Sequence, residues 1–202
     1  LVRTPGLRVV VPSSPRRARA LLRAAVASDD PVVMLEPLAL YRTIREAVPE
    51  TPEEMPLGRT FRVREGGDLT IVAYGAMLQR ALEAADTLST ETGIEADVLD
   101  LVSLAPLDAD SVLASARRTG HLLVVQESGR TADIGAELIA GLHETSDDPR
   151  RVRCRRLTGC DVPWPFPARE DVVLPDAERI VEASRDLLDA PARRRRSMGR
   201  HP

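Results

Sequence analysis

The chain has 202 residues, 43% apolar and 29% charged, with a formal charge of −3. That profile is globular rather than disordered, and no apolar run reaches the roughly 20 residues that a helix needs to cross a bilayer. Two cysteines, Cys154 and Cys160, are too few for a disulfide framework. They read as ordinary buried thiols, and a reducing, cytoplasmic setting is the expectation.

Strand and helix signals alternate along the chain. Leu7 to Val11 is an apolar run of the buried-strand type, and Ser14 followed by Pro15 reads as a helix N-cap and first helical position, opening a helix that runs to Ala27. Val32 to Leu35 is the next strand, which completes one β-α-β unit. Between Pro37 and Gly58 the pattern dissolves among prolines and glutamates, a composition that favours extended, solvated chain. Leu69 to Ala73 then reads as a strand and Gly75 as a turn. A helix follows with Leu78, Ala81, Leu82, Ala85 and Leu88 on one face, and Gly93 stops it. Ala96 to Leu101 is a strand, Asp108 caps a helix to Arg118, and His121 to Val125 is a strand. Ile134, Leu138 and Leu142 line a further helix. Val152 to Leu157 is a strand whose arginines suggest an edge, and Asp176 caps a last helix carrying Ile180, Ala183 and Leu187.

Strands separated by helices need crossover connections, so the expected fold is α/β, with a mainly parallel sheet flanked by helices. The expected organisation is a β-α-β remnant of one domain over residues 1–46, a linker over 47–58 and a complete α/β domain over 59–189. A basic tail over 190–202 is read as solvated and disordered rather than as a contact for nucleic acid or membrane. Without the five tail arginines the formal charge falls to −8, so the body of the chain is acidic. Leu1 in place of Met is expected of a chain trimmed from a longer one.

Catalytic constellations are sparse. His121, His143 and His201 have no Ser or Cys nucleophile at a recognisable elbow, and no GxSxG, GxGxxG or GxxxxGKS/T motif occurs. Asp100 and Glu127 stand near the C-terminal ends of strands, where ligands of open α/β sheets gather, and are weak candidates on position alone. The run Thr158 to Pro167 sets three prolines around the only Trp. It reads equally as a rigid binding surface or as a loop capping the sheet. At the end of the first helix, around Ala25, Ser28 and Asp30, backbone carbonyls have no intrahelical partners and carry the negative end of the helix dipole. Such carbonyls can hold a hard monovalent cation, though water serves most helix ends.

Several segments together carry a resemblance. They are Thr4-Pro5-Gly6 with Val9-Val10-Val11-Pro12-Ser13, Asp30-Pro31-Val32-Val33, Leu35-Glu36, Leu40-Tyr41-Arg42, and Pro56-Leu57-Gly58. Thr70 to Gly75, Asp100-Leu101, Pro106-Leu107-Asp108, Gly135-Ala136-Glu137, Thr158-Gly159 with Asp161, Pro163 and Pro165, and Leu174-Pro175-Asp176 continue in order. Over residues 4 to 188 the chain resembles the C-terminal half of the β subunit (E1 component) of thiamine-diphosphate-dependent 2-oxo acid dehydrogenases of the pyruvate and branched-chain type. The resemblance identifies the first unit as the end of a pyrimidine-binding domain and the second as a transketolase-like C-terminal domain. Gln126 stands where the family often has a second glutamate, and Ala132-Asp133 where it often has two glycines.

The resemblance implies part of an enzyme that decarboxylates a 2-oxo acid on thiamine diphosphate and magnesium and passes the acyl group to the lipoyl arm of E2. The family's cofactor-activating glutamate and β-subunit histidine lie upstream of the segment equivalent to Thr4-Pro5-Gly6, and the diphosphate site belongs to the α subunit. This chain is therefore expected to be inactive alone and to hold no thiamine diphosphate. Its implied partners are the E1 α subunit or a fused α region, a second β subunit and the basic subunit-binding domain of the E2 acyltransferase. The family's potassium site falls partly on the Ala25, Ser28 and Asp30 carbonyls. Two rival readings are a stand-alone, non-catalytic interaction module and the C-terminal domain of another transketolase-like enzyme, such as deoxyxylulose-phosphate synthase. Tyr41-Arg42 and the Pro-rich loop favour E1 β.

Overall fold

The structure is a computed structural model that describes residues 1–51, 54–145, 151–163 and 170–189. The basic tail and the Trp-Pro part of the loop after Pro163 lie outside the described residues.

Strand β1 (Arg8–Val10), helix α1 (Pro15–Val26) and strand β2 (Val32–Met34) form the first unit, with β1 and β2 parallel. The N-terminus of α1 follows from its sequence. Ser14 is extended and its hydroxyl accepts from the Arg17 N–H, while Pro15 occupies the first turn, where no intrahelical N–H is needed. A short helix α2 (Leu40–Thr43) comes next. Residues 47–58 contain no helix or strand among those described, but they are not wholly solvated. Met55 is buried against Val10, Ala20, Leu21 and Val102, and Arg19 of α1 donates to the carbonyls of Pro49 and Glu50.

The larger sheet has strands β3 (Phe61–Arg64), β4 (Leu69–Ala73), β5 (Ala96–Asp100), β7 (His121–Gln126) and β8 (Arg153–Thr158), in the order β3-β5-β4-β7-β8. Only β3 runs antiparallel to its neighbour. Alternation along each strand separates two cores. Leu69, Ile71, Ala73, Val98, Leu123 and Val125 face helices α3 (Met77–Thr92) and α7 (Ala177–Asp189). Val72, Leu99, Leu122 and Val124 face α4 (Ala109–Thr119) and α5 (Ile134–Glu144). Under α4 the sheet also buries a polar set. Thr70 Oγ1 lies 2.7 Å from Ser115 Oγ, Ser115 donates to Asp97, and Asp97 pairs with Arg118 at 2.7 Å and Arg62 at 2.9 Å. Buried carboxylates keep their charge only with such partners.

Four elements were not expected from the sequence: α2, which falls in the stretch read as extended chain, β3, helix α6 (Glu170–Val173) and β6 (Ser103–Ala105). Strand β6 matters most. It leaves the large sheet immediately after β5 and pairs antiparallel with β1, giving a second sheet in the order β2-β1-β6. The first unit is thus hydrogen-bonded to the second, and Val9 and Val11 share a core with Val72, Leu99 and Leu101.

Candidate functional site

In an open α/β sheet a crevice opens where adjacent parallel strands send their following helices to opposite faces. Here the pair is β4 and β7: α3 follows β4 onto one face, and α5 follows β7 onto the other. The crevice therefore falls between Tyr74-Gly75 and Glu127-Ser128, and the chain covers it with its own residues. Val11, Leu35, Glu36 and Pro37 close on Tyr74, Glu127 and Ser128, leaving about 350 Å³. Leu40, Thr43 and Ile44 face Met77, Arg80, Glu127 and Asp176 across a second recess of about 290 Å³. Gly75 has φ +57, and a Cβ there would lie 3.0 Å from Pro37 Cγ, so a side chain would push the covering segment away. Burial raises the Tyr74 hydroxyl above its usual range, and its oxygen is 3.4 Å from Ser128 Oγ.

Asp100, at the C-terminal end of β5, is fully buried and faces the first unit. Ser13 Oγ donates to its Oδ2 at 2.5 Å, and Arg17 Nε lies 3.6 Å from the same oxygen. The other carboxylate oxygen is buried without a hydrogen-bond partner among the described residues. Burial pushes its pKa up to about 6, with Ser13 and Arg17 opposing. The Arg17 guanidinium also stacks 4.4 Å over the Phe61 ring. Asp100, read as a weak ligand candidate, is thus a tie between the two units, and its partners could not be named from spacing because 87 residues separate it from Ser13.

The structure scatters the remaining candidates. Glu127 borders both recesses of the crevice. The Ala25 carbonyl accepts from the Ser28 N–H at 3.2 Å, Ser28 Oγ accepts from the Asp30 N–H at 3.2 Å, and the Asp30 carboxylate pairs with Arg8 at 2.8 Å. His121 Nδ1 is 3.0 Å from the Asp68 carbonyl, and His143 is exposed late in α5. Cys154 is half-buried, with its thiol pushed up to about 11 by burial, whereas Cys160 is exposed, contrary to the expectation of two buried thiols. The thiol at 160 sits in a turn that leaves it in solvent. In the same turn Asp161 accepts from the Thr131 backbone and hydroxyl, which holds its carboxyl below the usual range. Among the described residues no group of three His, Cys, Asp or Glu side chains is placed to hold a metal ion, and no helix is long and apolar enough to cross a membrane.

Comparison with known proteins agrees with this architecture. The family model of the transketolase C-terminal domain matches residues 58–180. The chain is 39% identical over 189 residues to the pyruvate dehydrogenase E1 component subunit beta of Staphylococcus aureus (strain Mu50), covering 94% of this chain and 58% of that subunit. The same subunit of Staphylococcus epidermidis (strain RP62A) matches equally, at 39% over 189 residues with the same coverage. A solved structure described as a split gene transketolase, inactive β4 tetramer, superposes with a TM-score of 0.76 at 30% identity, over 93% of this chain and 59% of that one. The chain spans under three-fifths of the length of these relatives, so the likeness concerns their C-terminal-type architecture and not their whole activity. With its five-stranded sheet, its two helical layers and the matched region together, the chain belongs to the transketolase C-terminal domain family.

Proposed function

We propose that this chain serves as the C-terminal part of the E1 β subunit of a 2-oxo acid dehydrogenase, supplying subunit assembly and E2 docking and leaving the decarboxylation to residues outside it. The observation that carries this reading is the covered crevice. The place where an open α/β sheet takes a ligand is partly occupied by residues 35–44 of the same chain, which suits a packing role better than a catalytic one.

Thiamine diphosphate and magnesium, which the family implies for the complete enzyme, do not fit the residues of this chain. Among the described residues, Glu36, Glu83, Glu127 and Asp176 line the crevice recesses against one arginine, Arg80, an acidic environment that disfavours a diphosphate. We assign the cofactor to the complementary surface of the α subunit and of the upstream β domain. The partners in this reading are the E1 α subunit, a second β subunit and the subunit-binding domain of E2. A relative described as an inactive β4 tetramer supports the view that a body of this build associates without turning over substrate.

A monovalent cation such as potassium belongs to the same proposal, held by the Ala25, Ser28 and Asp30 carbonyls. Ala25 O already accepts one hydrogen bond, which leaves a lone pair for a cation.

The test is turnover and mass on the purified 202-residue chain. We expect oligomers without decarboxylation of pyruvate or branched-chain 2-oxo acids when thiamine diphosphate and magnesium are added. Decarboxylation by the chain alone would overturn the assignment.

A further inference from the structure

Strand β8 closes one side of the large sheet, and its only strand partner among the described residues is β7. The Arg153 N–H donates to the Gly120 carbonyl and the Gly159 N–H to the Gln126 carbonyl. Residues alternate in a strand, so the odd-numbered ones turn their amides toward β7. Cys154, Arg156 and Thr158 therefore turn their N–H and C=O groups outward, along an edge that no described strand pairs.

A groove of about 730 Å³ runs along this edge, and residues of both parities line it: Cys154, Arg156 and Thr158, but also Arg155 and Leu157. Its two walls differ. On the α5 side stand Ala136, Ile139 and Ala140, a small, apolar wall. On the other side stand Arg155 and, at the start of α7, Arg179. Arg130 completes four arginines, and no acidic residue lines the groove among the described residues. Arg155 pairs with Asp186 at 2.8 Å and Arg156 with the buried Asp133 at 2.8 Å, while Arg179 donates to the Leu174 carbonyl. Arg130, beside Asp161, leans on a carboxylate as Arg155 and Arg156 do, yet the described lining itself carries only cations in a chain whose overall charge is negative.

We propose that the β8 edge is a docking site for an extended acidic peptide, which adds to the sheet as a further strand. Its outward amides would pair with those of Cys154, Arg156 and Thr158. Apolar side chains on one face of the peptide would lie against Ala136 and Ile139, and carboxylates on the other would meet Arg155 and Arg179. Backbone pairing then gives affinity and the alternate side chains give specificity. A second copy of the chain is a poor occupant, because pairing β8 with β8 sets arginines against arginines. This surface goes beyond E2 docking as proposed above, since that partner is basic and seeks acidic ground.

The probe is a fluorescein-labelled octapeptide of alternating Val and Glu, titrated into the full chain and followed by anisotropy. Two analogues are N-methylated at the four valines or at the four glutamates, so that each removes the amides along one edge of the peptide. We expect the parent to bind, at least one analogue to lose binding, and a Val-Lys octapeptide not to bind. Arg155→Glu and Arg179→Gln should each weaken the parent, the charge reversal by about tenfold. Undiminished binding of both analogues, equal binding of the lysine peptide, or no binding of the parent would each overturn the proposal. So would self-association of the chain that Cys154→Pro abolishes, which would assign the edge to a second copy.

Discussion

Replacing Asp100 by Asn should change how stability depends on pH, and the structure fixes the sign. Asp100 is buried between the two units, and burial lifts its pKa from 3.8 to about 6 despite Ser13 and Arg17. A carboxyl raised in the folded state binds its proton more tightly there than in the unfolded chain. Its contribution is therefore fully present below the unfolded pKa and is lost as pH rises through about 6. The whole shift corresponds to about 3 kcal/mol, of which about half is lost between pH 5 and pH 8. Asn keeps an oxygen to accept from Ser13 and cannot ionise. Urea unfolding of both proteins at the two pH values cancels every other titrating group. The stability of Asp100→Asn relative to the parent should rise by about 1 kcal/mol from pH 5 to pH 8. Parallel pH profiles, or an Asn variant that loses ground as pH rises, would refute a raised pKa at this site.

Other expectations follow from backbone and ligand. Ala132 has φ +55, in the left-handed region, so Ala132→Gly should stabilise the chain by about 1 kcal/mol in the same urea assay. Gly159→Ala should destabilise it, because a Cβ there runs into the Glu127 carbonyl. If the Ala25, Ser28 and Asp30 carbonyls hold potassium, its chloride should raise the melting temperature above that in choline chloride at equal ionic strength, and equal melting would exclude the site. Limited proteolysis should cut first between Pro49 and Pro56; a first cut within residues 95–125 would contradict the assigned boundary.

Much of the fold was legible because its signals are local. Ser14, Asp108 and Asp176 cap their helices as their positions suggest, since a cap needs only a side chain and an amide three residues on. Strands β4 and β7 are mostly apolar because helices cover both of their faces. The edge character of β8 was likewise visible in its arginines. Strand β6 was hidden because Leu101 to Ala105 follows β5 with no turn signal, although the chain crosses from one sheet to another there. Strand β3 alternates arginines with apolar residues on a half-exposed edge, a weak signal among polar neighbours. The covered crevice could not be read at all. It depends on strand order and on residues 35–44 returning to the ends of β4 and β7, a tertiary fact with no local trace. The departure at Ala132 is the reverse case, since the sequence shows Ala where relatives often carry Gly and the structure supplies the strained φ.

In the proposed assembly the acidic body of the chain, rather than its basic tail, is the surface that meets E2. Calorimetric titration of the cognate E2 subunit-binding domain into the full chain, and into a chain lacking residues 190–202, tests this directly at low and high salt. Binding should survive the deletion, unchanged or modestly tighter at low salt, and the difference should narrow as salt rises. Binding that vanishes with the tail would place the contact at the wrong end of the chain.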